Sequence, residues 1–128
     1  MSLILLKTTF FRIEDEVTRM EPCDDIGYAS FLHLLPQEEK EQIIDRNPVA
    51  ETTFQEISDF SEYVFGFCSL SKLKRWYPAT HRHFLGKCGY KIAVYDNMSL
   101  SLMRCSFYQD IYPKPEFFEQ KPTKFLIL

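Results

Sequence analysis

The chain alternates between aromatic-rich apolar runs and stretches of helical periodicity, and that alternation predicts its elements. Residues 3–14 mix Leu, Ile, Thr and Phe without Gly or Pro, which predicts one long strand or two short ones. From Asp15 to about Tyr28, charges, Pro22, Gly27 and an Asp-Asp pair predict a loop. Ala29 to Leu35 is apolar but short and fits helix or strand equally. Pro36 then opens a helix that runs to Asn47, because proline suits a first turn and Glu38 and Glu39 suit the positive end of the helix dipole. Pro48 stops it. Phe54, Ile57 and Phe60 recur every third residue and predict a short helical turn over Thr53 to Phe60.

Downstream the pattern sharpens. Glu62 to Cys68 predicts a strand, and Ser69 caps a helix with Leu70, Leu73, Trp76 and Tyr77 on its apolar face. Lys72, Lys74 and Arg75 fall on the opposite side, and Pro78 breaks the helix. A second helix is expected from about Thr80, capped by that hydroxyl, with Phe84, Leu85 and Cys88 inward and Gly89 ending it. Tyr90 to Tyr95 and Leu100 to Tyr108 read as strands. Residues 110–128 carry Pro113, Pro115 and Pro122 and predict an irregular tail before a terminal strand from Lys124 to Leu128. The sum is a single α+β domain, with a twisted, mainly antiparallel sheet of about five strands flanked by short helices.

Composition narrows the class. A chain of 128 residues that is 45% hydrophobic buries a real core and is too apolar for disorder. Twelve Phe and seven Tyr favour strands, whereas four Gly leave little for a phosphate cradle. No G-x-G-x-x-G and no G-x-x-x-x-G-K-[ST] occurs, so dinucleotide and P-loop readings lack a motif. The first apolar run is too short for a signal peptide or a membrane span. Cys23, Cys68, Cys88 and Cys105 are scattered without a Cys-x-x-Cys pair, and the expectation is four reduced thiols, mostly in or near the core. These features together predict a cytoplasmic protein with no membrane contact.

Charge divides the chain. Residues 14–62 hold fourteen acids against three bases, whereas residues 63–95 hold no acid at all. Such asymmetry suits a charged partner, or two faces that neutralise each other on folding. The basic segment, with Trp76, Tyr77 and Phe84 interleaved, suggests nucleic-acid contact through Lys72, Lys74, Arg75, Arg82 and Lys87, or simply a solvated face. Glu38, Glu39 and Glu41 suggest an acidic surface that occupies a basic partner protein, or an ordinary acidic flank. Cys68, at the mouth of a helix, and Cys88, near His83 and Lys87, are candidate nucleophiles, with buried structural thiols the plainer reading. His81 and His83 lie two apart on a helix and would diverge, so they read as surface histidines and no metal is expected.

Two resemblances extend this reading. Phe10-Phe11-Arg12-Ile13-Glu14 resembles the opening strand of small phage- and prophage-encoded proteins. The block from Tyr63 to Tyr77, followed by Gly89 to Tyr95, is similar to their middle, which together covers about a third of the chain. The order of elements also resembles the ADP-ribosyltransferase-like fold. That resemblance implies NAD as cofactor, Arg12 against its nicotinamide-ribose side, and Ser69 lining the pocket. Gln109 or Asp110 would then stand nearest the reacting ribose, although no Glu occupies a Q/E-x-E setting there. Tyr77 and Tyr95 are suitable walls by their chemistry alone. The plainer account is that Arg12 pairs with an acid of the N-terminal half and Ser69 only caps its helix. The reading favoured is a small phage-type accessory protein that binds a host macromolecule, foremost a host protein, with no cofactor. NAD-dependent transfer of ADP-ribose and nucleic-acid binding stand as alternatives.

Overall fold

The first strand, β1 (Lys7–Asp15), forms the framework with the long β3 (Tyr90–Ser99) in a computed structural model that describes residues 6–22, 26–38, 57 and 59–128. The two pair antiparallel, with Phe10 opposite Tyr95, Arg12 opposite Ala93 and Ile13 opposite Ile92. β5 (Lys124–Leu126) pairs antiparallel with the other edge of β3, completing a sheet ordered β1-β3-β5. β2 (Tyr63–Gly66) and β4 (Asp110–Pro113) make a second, two-stranded antiparallel sheet. The two sheets meet where Phe11 and Phe67 exchange backbone hydrogen bonds of 2.7 and 2.9 Å. Among the described residues the strands number five, as expected of the antiparallel sheet, but they divide into two sheets and are not all the segments expected.

Strand side chains alternate between faces, so the three-stranded sheet supports two cores. Phe10, Ala93 and Tyr95 join Val64, Met98, Met103, Tyr112 and Phe117 on one side. Ile13, Ile92, Tyr90 and Val94 join Phe67, Leu73 and Leu85 on the other. Leu73 belongs to α2 (Leu70–Trp76) and Leu85 to α3 (Ala79–Lys87), so these helices cover the second face. α4 (Lys114–Phe118) covers the first face through Phe117. Each wholly buried Leu or Phe contributes about 1.5–3 kcal/mol relative to exposure.

Several expectations change. The loop expected up to Tyr28 gives way earlier to helix α1 (Ile26–His33), whose Phe31 stacks on Phe84 at 4.3 Å. Phe31 also meets His81 edge-on, so His81 is buried rather than a surface residue, while His83 is exposed. Thr80 does not cap α3, because Pro78 occupies the N-cap and the helix begins one residue before Thr80. Cys88, expected inward, is the exposed C-cap residue, and Gly89 follows with φ of 96°. Cys105 is exposed as well, so these two thiols lie outside the core, whereas the half-buried Cys68 packs against the first core as expected. Gln37 and Glu38 are helical, but the rest of the helix expected to Asn47 lies outside the described residues, as does most of Thr53–Phe60. Phe60–Glu62 form a single 3-10 turn.

The largest differences lie after β3. Leu100–Tyr108 is not a strand: Leu102 and Met103 both donate to the Ser99 carbonyl, and only Arg104 bridges to Ile111. Local side-chain bonds there outcompete a ladder, as Ser106 Oγ donates to the Gln109 carbonyl and accepts from the Gln109 N–H. Residues 110–128, expected to be irregular, hold β4, α4 and β5. Pro113 and Pro115 open α4, where a missing N–H costs nothing. Among the described residues, no helix is long and apolar enough to cross a membrane.

Candidate functional site

Among the described residues, two buried acids organise the polar interior. The first is Glu14. Arg12 and Glu14 are two apart on β1, so both project from the Phe10 face, where Phe117 lies 4.8 Å below the Arg12 guanidinium. Glu14 Oε2 accepts from Arg12 Nη1 at 2.9 Å and from the Tyr95 hydroxyl at 2.6 Å. Arg12 also donates through Nε to the Phe65 carbonyl at 3.0 Å and pairs with Glu21. Arg19, at a left-handed φ of 62°, turns its side chain back so that Nη2 donates to the Tyr95 hydroxyl at 2.8 Å. Its Nε lies 3.6 Å from Glu14 Oε1, which is ion-pair distance but too long for a hydrogen bond. Burial lowers the pKa of Arg12 against the pull of Glu14. Burial and the bond to Glu14 push the Tyr95 hydroxyl well above its ordinary value.

The second acid is Asp110, wholly buried at the start of β4. Its Oδ2 accepts from the Cys68 backbone N–H at 2.6 Å. Its Oδ1 accepts from Lys72 Nζ at 2.8 Å and from the Ser106 N–H at 3.0 Å. Lys72, expected on the outer face of α2, is thus half-buried and also donates to the Ser106 carbonyl at 2.6 Å. Burial opposes its charge, yet Asp110 wins and raises its pKa. Cys68 Sγ lies 3.5 Å from Lys72 Nζ, and burial followed by Asp110 raises the thiol pKa despite that ammonium. The helix mouth therefore does not favour a Cys68 thiolate. Cys68, Cys105 and Asp110 place their donor atoms within 4.8 Å of one another.

The residues suggested by the transferase resemblance are partly gathered. A shallow cleft lined by Arg12, Tyr77 and Gln109, together with Glu21, Phe65 and Phe67, has a volume of about 20 Å³, room for a single water. Tyr95 and Asp110 are buried and do not line it. Ser69 accepts from the Lys72 backbone N–H at 3.2 Å and caps α2, as its plainer reading holds. Arg12 likewise pairs with Glu14 and Glu21, both acids of the N-terminal half.

At the surface, the side chains of Lys74, Arg75 and Lys87 are exposed and Arg82 is half-buried. Arg75 Nη2 donates to the Phe107 carbonyl at 2.8 Å, and its guanidinium lies 4.5 Å above the Phe107 ring. That ring is 67% exposed and meets Tyr108 edge-on at 4.8 Å. Glu38 is exposed, whereas Glu39 and Glu41 lie outside the described residues.

The family model of the bacteriophage T4 Y00F protein matches residues 7–116. The chain belongs to this phage protein family. Its matched span runs from β1 into α4 and so includes both buried acids and the Arg75–Phe107 contact. No curated protein and no solved structure matches the chain. The resemblance to small phage proteins read from Phe10–Glu14 and Tyr63–Tyr77 agrees with Y00F membership. Sequence reasoning missed Arg19, Cys105, Phe107 and Tyr108 as parts of these clusters. Arg12 and Glu14 carried a usable signal, since positions two apart on a strand share a face, but nothing local marks Arg19 or Cys105 as their neighbours.

Proposed function

We propose that this phage-family protein is an accessory factor that binds a host protein, and that α2 and the 104–108 segment supply the contact surface. The observation that carries the reading is Phe107, a largely exposed ring held by the Arg75 guanidinium above it. An exposed aromatic that is already ordered loses little entropy on binding, and Arg, Tyr and Trp anchors dominate protein interfaces. Lys74, next to Arg75 in α2, and Arg104, three residues before Phe107, are exposed cations on the same two segments, which suits an acidic patch on the partner and speeds encounter. The test is affinity for a purified host partner, first enriched with the wild type and then measured with variants. Phe107→Ala and Arg75→Ala should each weaken binding by about tenfold or more with an unchanged melting temperature. Full affinity in both variants would remove this surface from the reading. Nucleic-acid binding predicts instead an affinity that falls steeply with salt and competition by single-stranded oligonucleotides.

NAD-dependent transfer of ADP-ribose has one observation in its favour, the cleft that gathers Arg12, Tyr77 and Gln109. Against it, Arg12 is committed to Glu14, Glu21 and the Phe65 carbonyl, and cofactor binding must break those bonds and widen the cleft. Millimolar NAD should then raise the melting temperature of the wild type; an unchanged melting curve argues for the binding role.

A further inference from the structure

The Asp110 carboxylate holds two cysteines against each other that the sequence keeps far apart. It binds the backbone N–H of Cys68 on one side and that of Ser106, the neighbour of Cys105, on the other. The bridge between Arg104 and Ile111 fixes the same segment from the opposite direction. As a result the two sulfurs lie within 4.8 Å of each other. We infer that Cys68 and Cys105 are a paired redox site that closes to a reversible disulfide on reaction with a small disulfide oxidant such as oxidised glutathione.

The neighbouring groups fit the two steps. Cys105 is exposed and can meet the oxidant, whereas Cys68 is half-buried behind it. In the first step the Cys105 thiolate attacks one sulfur of the oxidant. The protein–glutathione bond forms as the glutathione disulfide breaks, and the departing thiolate takes up a proton. In the second, the Cys68 thiolate attacks Cys105 Sγ, the protein disulfide forms, and a second glutathione leaves. Two protein thiols are thereby oxidised and one glutathione disulfide is reduced to two thiols. Lys72 Nζ, 3.5 Å from Cys68 Sγ, stabilises the thiolate that must develop there. At rest, burial and Asp110 keep Cys105 protonated, with its pKa pushed up to about 11.

A divalent metal on the same three side chains is the competing use of the cluster. Both Asp110 oxygens already accept hydrogen bonds, and the Lys72 ammonium provides the positive charge there. A metal would share Asp110 with that ammonium at close quarters, like charge against like charge, whereas a disulfide adds no charge to the cluster. The disulfide chemistry is independent of what Phe107 binds.

The folded full-length protein, held in mixtures of reduced and oxidised glutathione and then alkylated, should yield a Cys68–Cys105 cross-linked peptide on non-reducing mapping. The mass should fall by two hydrogens and two thiols should be lost. Cys68→Ser should stop at a mixed disulfide on Cys105, and Cys88→Ser should leave the cross-link unchanged. Cys68 and Cys105 that stay reduced, or that end as separate glutathione adducts in the wild type, would overturn the inference. So would equimolar zinc that protects both thiols from alkylation, which would assign the cluster to a metal.

Discussion

Glu14 and Asp110 are both wholly buried carboxylates beside cations, yet they are satisfied in opposite ways. Asp110 spends two of its three hydrogen bonds on backbone N–H groups, from Cys68 and Ser106. It therefore ties the exit of β2 to the segment before β4, and both its oxygens are used. Glu14 receives side chains only, from Arg12 and Tyr95, and all on one oxygen. The other oxygen faces Arg19 Nε without a hydrogen bond. One acid is a backbone fastener, and the other joins side chains that could rearrange around it. Buried charge is retained in both because removing a single partner leaves an uncompensated ion.

The sharpest way to break this comparison is an isosteric loss of charge at each site. Asp110→Asn must turn an amide NH2 towards the Lys72 ammonium and Ser106 N–H, or towards the Cys68 N–H, so donor faces donor either way. The expected cost is about 3–5 kcal/mol, that of a broken buried pair. Glu14→Gln can place its NH2 where Oε1 accepts nothing and keep a carbonyl for Arg12 and Tyr95. Arg12 also retains Glu21. Its cost should be only about 1.5–3 kcal/mol, the loss of charge assistance. Urea midpoints of the two variants at neutral pH decide the matter, and equal midpoints would erase the distinction.

The contrast also explains what the sequence allowed to be read. Local signals located β1, the Ser69 cap, α2 and the Gly89 stop, because each depends on a few neighbouring residues. They failed from Leu100 to Phe118, where structure depends on partners distant in the chain. Ser106 is drawn to Asp110 and Arg104 to Ile111, so an apolar run that alternates like a strand does not become one. Prolines that suggested an irregular tail instead open α4, since the strand it follows is set by pairing with β2. The site was legible in the same partial sense. Arg12, Ser69, Asp110 and Tyr95 were named as candidates, and Lys72 for a surface contact only, but the pairing with Glu14, Lys72 and Arg19 follows from register and turn geometry.

Tyr95→Phe probes the Glu14 side alone, at a cost of about 1.5–3 kcal/mol near neutral pH for a hydrogen bond to a carboxylate. Its pH dependence carries a sign. The folded protein holds the Tyr95 proton above the ordinary value of 10.0, so the stabilisation is complete below that pH and is lost as pH rises past it. Urea midpoints at about pH 8 and pH 10.5 should fall with pH in the wild type and fall less in the variant. Parallel declines would mean that Tyr95 titrates as it does in the unfolded chain.

Between the two acids lies Gly66, paired with Asp110 across β2 and β4. A Cβ at this position would sit 2.4 Å from the Phe10 ring and 2.9 Å from Arg12 Cγ. Gly66→Ala should therefore destabilise by about 1–3 kcal/mol through overpacking, with the disturbance directed at the Arg12 side. Side-chain NMR shifts should move at Arg12 and Phe10 more than at Lys72; a reversed pattern would show that strain passes through the backbone to Asp110.

The smallest effect tests whether Ser69 belongs to the Asp110 fastener or merely to its helix. Ser69 Oγ accepts the Lys72 N–H, and the residue carrying that N–H sends its ammonium to Asp110. As a simple cap, Ser69→Ala should cost about 1 kcal/mol, and Thr80→Ala almost nothing because Thr80 caps no helix end. If the cap also sets the aim of Lys72, combining Ser69→Ala with Lys72→Met should cost less than the sum of the two changes. A double-mutant cycle reads that coupling directly. Strict additivity would make the cap a local device. A shortfall would mean that the hydroxyl at the start of α2 helps position the cation that neutralises the buried acid.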